Sequence, residues 1–195
     1  ALDDAGIKYE ADQQNASGEQ SACQTIAEKF VSDGDDLILA IATPAAQAAA
    51  GVTTEIPIIL TAVTDPCESG LVADNAAPGG NVTGTSDLTP VKEQIELLKQ
   101  IIPDAKKIGL LYCTAESNSS IQARMAKEAC EALGIEAVDY TVSSSNEIQT
   151  VVESMAGNVD AIYAPTDNVI ANGMATVAMV ASDNGIPVIC GESGM

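Results

Sequence analysis

Histidine and tryptophan are absent from this 195-residue chain, and the other aromatic side chains number only four Tyr and one Phe. Without His, the chain cannot use a Ser-His-Asp or Cys-His catalytic mechanism or form a His-bearing zinc site. Few aromatic rings are available to stack on sugars or on nucleic-acid bases. These absences argue against several common classes of enzyme, carbohydrate-binding protein and single-stranded nucleic-acid-binding protein.

Basic residues are also scarce, because 8 Lys and Arg face 28 Asp and Glu and give a formal charge of −20. A field of this sign repels nucleic acids and anionic membrane surfaces, and no basic stripe offsets it. No apolar run is long enough to cross a bilayer. We therefore expect a hydrated acidic surface, no nucleic-acid partner, and membrane association only through a leader or lipid anchor that this chain does not contain.

The five cysteines show no CxxC spacing, and an odd number cannot all pair within one chain. Small, buried, apolar side chains are the expected role, rather than a disulfide framework. The sequence predicts no metal site and no cofactor. The five residues are Cys23, Cys67, Cys113, Cys130 and Cys190.

Apolar runs suited to buried strands alternate with segments of helical periodicity. One predicted helix carries Val91, Ile95, Leu98 and Ile102 on one face, and another carries Ile121, Met125, Ala129 and Leu133. Such a βαβ series predicts an α/β fold with parallel sheets and helices on both sides. The predicted strands cover residues 37–42, 56–62, 107–112, 137–142, 160–164 and 186–190, with a further possible strand at 8–12.

The chain repeats its own pattern, since residues 133–168 resemble residues 5–47 in the order of strand, polar linker, helix, strand and Thr/Pro loop. The repeat predicts two similar Rossmann-like lobes, an N-terminal lobe at 1–85 and a second lobe at 86–195. The segment 68–90 is rich in Gly, Pro, Asn and Thr, which is typical of a crossover or hinge.

The two copies differ in what surrounds them. A strand, loop and helix at 106–132 precede the second copy, whereas nothing equivalent precedes the first. We therefore expect the first lobe to lack its first strand and helix, and the second lobe to be incomplete at its C-terminal end.

In parallel sheets, ligands bind beyond the carboxyl ends of the strands, which here are followed by loops rich in Thr, Ser, Asp, Asn and Glu. Helix N-termini near 44–47, 119–121 and 167–170 offer N–H groups that suit a carboxylate. Hydroxyl and acidic side chains in the same loops suit the two ends of a zwitterionic amino acid. Helix capping is the alternative role for each of these residues. The hydroxyl groups are those of Thr43, Thr64, Ser119 and Thr166, and the carboxylates are those of Asp65, Asp167 and Glu192.

Two enzyme classes have weak support. An amino-acid racemase with one catalytic Cys in each lobe would need symmetric cysteines, but alignment of the two Ile-Pro strands places Cys190 opposite Leu60 and not opposite Cys67. The stretch PGGNVTGTSD lacks the GxGxxG spacing of a dinucleotide site. We therefore expect no catalytic residues.

Six stretches, IAEKFVSDGDDLILAIATPAAQAA, IPIILTAVTDP, PGGNVTGTSD, KKIGLLY, DAIYAPTDN and IPVICGESGM, together resemble the ABC-importer substrate-binding protein family linked to tryptophan or other aromatic amino acids. The resemblance implies a type I periplasmic binding fold, a bacterial extracytoplasmic location in the periplasm or as a cell-surface lipoprotein, and an ABC permease with its ATPase as partners. It also implies binding without catalysis. The ligand-binding residues that it implies are Thr43, Pro44, Ala45, Gln47, Thr64, Asp65, Glu116, Ser117, Asn118, Ser119, Thr166, Asp167, Asn168 and Glu192.

A different class of function stays open at this point. A ligand-sensing domain of a transcription regulator or receptor can share the same fold. Such a protein would carry a helix-turn-helix or transmembrane segment, and neither is visible in the sequence.

Overall fold

Parallel strands alternate with helices throughout the computed structural model, which describes residues 2–195. The strands are β1 Ile38–Ile41, β2 Ile58–Val63, β3 Val82–Ser86, β4 Lys107–Cys113, β5 Glu136–Val142, β6 Ala161–Ala164 and β7 Val188–Cys190. The α-helices are α1 Gln20–Asp33, α2 Thr43–Val52, α3 Val91–Ile101, α4 Ser117–Ala132, α5 Ile148–Met155, α6 Asn168–Asn172 and α7 Met174–Asp183, and a 3₁₀ turn spans Ser145–Glu147.

The first lobe is built on a three-stranded parallel sheet in the order β1-β2-β3. Ile38 pairs with Ile58, which pairs in turn with Val82, and the side chains of all three are buried under α1 and α2. The opposite face of β1 is open, because Leu39 is 59% and Ile41 is 60% exposed. In the described chain, helices therefore cover one face of this sheet rather than both.

The second lobe is built on a four-stranded parallel sheet in the order β5-β4-β6-β7. One apolar core lies between this sheet and α5 and α7, and a second lies between the sheet and α3 and α4. All four residues of β6 are buried, as expected for a central strand with helices on both faces. The predicted α/β fold with two similar parallel-sheet lobes is confirmed.

Two predicted features of the chain are wrong. Residues 8–12 form no strand and are exposed. The segment 68–90 is not only a connection, because it contains β3, which pairs with β2. Close packing explains the glycine at position 84 of this strand, because a Cβ there would lie 2.3 Å from the carbonyl oxygen of Leu60.

The buried face of α4 also differs from the predicted one. Its buried side chains lie one position away from the predicted stripe of Ile121, Met125, Ala129 and Leu133, which are only half-buried. The N-terminal half of the helix buries polar side chains, which hydrogen bonds hold in place. The buried residues are Asn118, Ser119, Gln122, Ala123, Ala126 and Cys130.

The cysteines are all unpaired in the described residues. Cys113 and Cys130 lie in the apolar cores of the second lobe, as expected, and Cys23 is also buried. Cys67 is exposed and Cys190 is half-buried, so small apolar filling does not describe these two. Within residues 2–195, no helix has both the length and the apolar character that a membrane crossing requires.

Candidate functional site

The loops that follow β4 and β6 meet at the carboxyl edge of the second sheet, where polar side chains are hydrogen-bonded to one another. We name this group the second-lobe polar cluster. Its members are the buried Glu116, Asn118, Ser119, Gln122 and Asp167, the half-buried Thr166 and the exposed Asn168.

Asp167 is 1% exposed and its carboxylate accepts three hydrogen bonds. The donors are the N–H of Cys113 at 2.6 Å, the hydroxyl of Ser119 at 2.7 Å and the N–H of Ile170 at 2.8 Å. The last bond caps α6, so capping is one role of this residue. Burial, with the negative charge of Glu116, nevertheless raises the pKa of Asp167 above its ordinary value.

Glu116 is 4% exposed, and its carboxylate also contacts the start of α6. It accepts hydrogen bonds from the N–H of Asn168 at 3.2 Å and of Val169 at 3.1 Å, and from the side-chain amide of Asn168 at 2.7 Å. The N–H groups at 168–170 are therefore bonded to protein carboxylates. The expectation that this helix end is free for a ligand carboxylate is wrong.

No ion pair of the described residues involves Glu116 or Asp167. Two carboxylates this deeply buried without a cation are costly, because hydrogen bonds replace only part of the lost hydration. A positively charged group close to these carboxylates would offset part of this cost.

Gln122, which is not among the predicted site residues, holds the cluster together. Its amide nitrogen donates to the carbonyl oxygens of Thr166 at 3.0 Å and Asn118 at 3.2 Å. Its amide oxygen accepts from the N–H of Thr166 at 3.2 Å and from the hydroxyl of Thr89 at 3.3 Å. Its position four residues after Asn118 on the same helical face is the signal that would have identified it.

Four buried polar atoms of the described chain have no hydrogen-bond partner, and three of them belong to predicted site residues. These three are the hydroxyls of Ser117 and Thr166 and the side-chain oxygen of Asn118. The fourth is the hydroxyl of Ser69 in the first lobe, which was not predicted. An unpartnered buried polar group costs about 1–3 kcal/mol, so a ligand that bonds to these atoms gains affinity.

In the first lobe, the predicted residues lie in the loops that follow β1 and β2. Thr43 and Thr64 are buried, while Pro44, Ala45 and Gln47 are half-buried in the first turns of α2. Gln47 donates to the carbonyl oxygen of Ser69 at 3.0 Å, so it joins the two loops.

Asp65 is occupied by its own loop. Its carboxylate accepts from the N–H groups of Cys67 and Glu68 and from the side-chain amide of Asn75, each at 3.0 Å. Burial acts to raise the pKa of Asp65, but these hydrogen bonds outweigh burial and the pKa lies below its ordinary value. Asp65 therefore has a structural role in shaping the loop. Glu192 is exposed, and none of the cluster's hydrogen bonds involves it.

Strained backbone occurs at the carboxyl ends of β1 and β2. Ala42 has φ 75° and ψ 153°, a conformation that glycine almost alone adopts, and Ala62 has φ 54°. Such strain often occurs at ligand-binding sites, where the surrounding structure enforces it.

The two lobes contact each other beside these loops. Arg124 on α4 pairs with Glu68 in the loop after β2 at 2.6 Å. The cluster of the second lobe and the loop that holds Ser69 therefore lie on facing elements, and the arrangement suits a small solute held between two lobes.

Comparison with known proteins identifies the family of this chain. A family model described as ABC transporter substrate binding protein matches residues 1–195. A tyrosine-binding protein from Clostridioides difficile is 46% identical over the whole chain, and the chain spans 57% of that protein. An ABC domain from Streptococcus pneumoniae, solved in complex with L-Trp, is 40% identical over 99% of this chain and 67% of its own, with a TM-score of 0.94.

A third relative differs in shape. The ligand-free, open structure of a substrate-binding protein with adhesive properties from Clostridium difficile is 45% identical over the same shares of both chains, with a TM-score of 0.62. Its sequence identity to the present chain is higher than that of the L-Trp complex, so sequence divergence does not explain its lower TM-score. The lobes of the present structure are therefore placed as in the L-Trp complex. The two-lobed architecture is that of type I periplasmic binding proteins, as the resemblance implied.

Proposed function

Because the chain belongs to the ABC transporter substrate-binding protein family, we propose that it is the solute-binding component of an ABC importer and binds one amino acid between its lobes. The observation that carries this proposal is the pair of buried carboxylates, Glu116 and Asp167, without a cation from the described chain. The ammonium group of an amino acid supplies that cation, and a charge-assisted hydrogen bond to either carboxylate fixes its position.

The other end of the ligand meets neutral hydrogen-bonding groups. The unpartnered hydroxyls of Ser69, Ser117 and Thr166 donate to the ligand carboxylate, and the free oxygen of Asn118 accepts from the ammonium. Thr43, Thr64 and the first turn of α2 complete the first-lobe side. Asp65 and Glu192 act outside this set, the former by shaping its loop and the latter at the exposed rim.

Amino acids with an aromatic side chain are the proposed class of ligand. The names of two relatives support this class, because they refer to tyrosine and to L-Trp. An ABC permease with its ATPase receives the ligand, and the protein works outside the cytoplasm, in the periplasm or as a surface lipoprotein. The residues at the site hold a solute and perform no catalysis. We place the division between the lobes at residues 85 and 86, one residue before the end of β3 at Ser86.

Fluorescence of the ligand tests the proposal directly. Since the chain has no Trp, L-tryptophan is the only indole in the sample. We expect a blue shift and a rise in anisotropy when the protein is added, reversed by other large amino acids and not by sugars. The variant Glu116→Gln should weaken binding at least tenfold, because a charge-assisted hydrogen bond is worth about 1.5–3 kcal/mol.

Glu131→Gln is the matched control, because Glu131 is an exposed carboxylate on the same helix. Its affinity should equal that of the wild type. If the folded wild-type protein leaves the emission of L-tryptophan unchanged and binds no other amino acid by calorimetry, the proposed function is wrong.

A further inference from the structure

One ion pair joins the two lobes of the described chain. The guanidinium of Arg124 on α4 contacts the carboxylate of Glu68 at 2.6 Å, and Glu68 belongs to the loop after β2. The remaining ion pairs of residues 2–195 each connect residues of a single lobe. A change in the distance between the lobes therefore acts on this ion pair and leaves the others intact.

The pair lies beside the candidate site on both sides. Arg124 follows Ser117 by seven residues, which is two turns along the same face of α4, or about 10 Å. Glu68 immediately precedes Ser69, whose carbonyl oxygen Gln47 holds at 3.0 Å. Ser69 and Ser117 carry two of the unpartnered hydroxyls that the proposed function assigns to the ligand, so the ion pair lies beside residues of the proposed site.

The loop that presents Glu68 is fixed within its own lobe. Asp65 accepts hydrogen bonds from the N–H groups of Cys67 and Glu68, and the N–H of Ser69 donates to the carbonyl oxygen of Asp65 at 2.9 Å. The loop therefore moves with the first lobe as α4 moves with the second. Arg124 also contacts Glu128 of its own helix at 3.5 Å, so its charge keeps a partner when the lobes separate.

We propose that Arg124 and Glu68 are positioning residues that hold the lobes together around the bound solute and slow its release. This inference rests on the proposed function, because it places the solute between the lobes. The present structure matches the L-Trp complex with a TM-score of 0.94 and the open relative with 0.62. The pair is made in an arrangement that resembles the former.

The expected size of the effect is modest. Arg124 is 53% and Glu68 is 48% exposed, and exposed ion pairs contribute little because water and salt screen them. Loss of the pair should therefore raise the dissociation rate of the ligand about two- to fivefold, with a smaller change in the association rate.

Charge reversal gives a sharp test with L-tryptophan as the probe, followed by stopped-flow fluorescence. Glu68→Arg and Arg124→Glu should each speed dissociation, and the double variant should restore a rate near that of the wild type. A purely structural role of either residue would not give this rescue. The difference in dissociation rate between the single variants and the wild type should become smaller at high salt.

The pair Lys127–Asp139 provides the matched control. It also starts from α4, its atoms are 2.5 Å apart, and its exposures of 44% and 38% are similar, but both residues belong to the second lobe. Arg124→Ala should speed dissociation about two- to fivefold, whereas Lys127→Ala should leave the dissociation rate unchanged. If Lys127→Ala speeds dissociation as much as Arg124→Ala does, or if the charge-reversed double variant is as fast as the single variants, the proposal is overturned.

A second measurement separates this proposal from the proposed function. Small-angle scattering of the ligand-free protein should show a larger radius of gyration for each single reversal and a return to the wild-type value for the double variant. If the radii follow this pattern while no amino acid binds, the ion pair joins the lobes but the proposed function fails. If an amino acid binds but the radii and dissociation rates are the same for the wild type, the single variants and the double variant, only the role of the ion pair is refuted.

Discussion

Ala42 has φ 75° and ψ 153°, a backbone conformation that is almost restricted to glycine because a Cβ is strained there. This strain costs about 1–3 kcal/mol. Replacement by glycine removes the strain, but the greater entropy of the unfolded chain offsets part of the gain in stability. We therefore expect Ala42→Gly to raise the free energy of unfolding by up to about 1 kcal/mol, measured by thermal or urea unfolding. Ala46→Gly, in the buried interior of α2, should lower it. A melting temperature of Ala42→Gly below that of the wild type would contradict the strain argument.

Asp167 should make the stability of the ligand-free protein depend on pH. Its pKa in the folded state is raised above the unfolded value of about 3.9, so the folded state binds this proton more tightly. The contribution is fully present below about pH 4 and is lost as the pH rises through the raised pKa. In urea unfolding at a series of pH values, the wild type should lose stability relative to Asp167→Asn over this window.

Asp160 gives a control of opposite sign. The N–H groups of Lys106 and Lys107 donate to its carboxylate and hold its pKa below the ordinary value. Its contribution is present above about pH 4 and is lost as the pH falls through the lowered pKa. The wild type should therefore lose stability relative to Asp160→Asn in acid. Equal slopes for the two comparisons would disprove the assignment for Asp167.

At the scale of elements, β3 depends on the absence of a side chain at Gly84. A Cβ there would lie 2.3 Å from the carbonyl oxygen of Leu60 in the paired strand, and backbone atoms cannot give way as a flexible side chain can. Gly84→Ala should lower the free energy of unfolding by about 1–3 kcal/mol or more, measured by thermal unfolding. Gly51→Ala is the control, because nothing lies near its Cβ and alanine favours the helix. An unchanged melting temperature for Gly84→Ala would argue against the pairing of β3 with β2.

The elements that the sequence predicts well are those whose apolar pattern reflects burial. The strand at 107–112 and the helical face of Val91, Ile95 and Leu98 are found where the periodicity places them, because core packing determines both. The pattern fails at β3, where Thr and Gly replace apolar residues on a largely exposed strand. It also fails on α4, where hydrogen bonds rather than apolar contacts determine which side is buried.

The candidate site is predictable only in part for the same reason. Turn and capping residues mark the ends of parallel strands, so the loops with Glu116, Asn118 and Asp167 can be identified from sequence. The sequence does not predict which carboxylate accepts a hydrogen bond from which N–H group. Glu116, for example, accepts from the start of α6, although it lies in a loop 52 residues earlier. Neither Gln122 nor Ser69 is predicted, because Gln122 lies inside a helix and Ser69 lies several residues after the end of its strand.

At the scale of the whole molecule, the internal repeat is sufficient to predict two lobes, but not how closely they approach each other. Each lobe has its own sheet, with one apolar core in the first lobe and two in the second. The placement of the lobes therefore depends on contacts between their surfaces, among them the single ion pair that joins the lobes within residues 2–195. Local sequence patterns carry little information about such contacts, because each contributes little free energy.

The second-lobe polar cluster is stabilised by hydrogen bonds that arise within its own lobe, from Thr89 to Ile170. Under the proposed function, half of the recognition surface is thus preorganised whether or not the first lobe is near. A solute would then arrive at a ready half-site, whereas its departure would wait for the lobes to part. Capture and release would consequently depend on different residues, so the proposed uptake and delivery could be tuned independently.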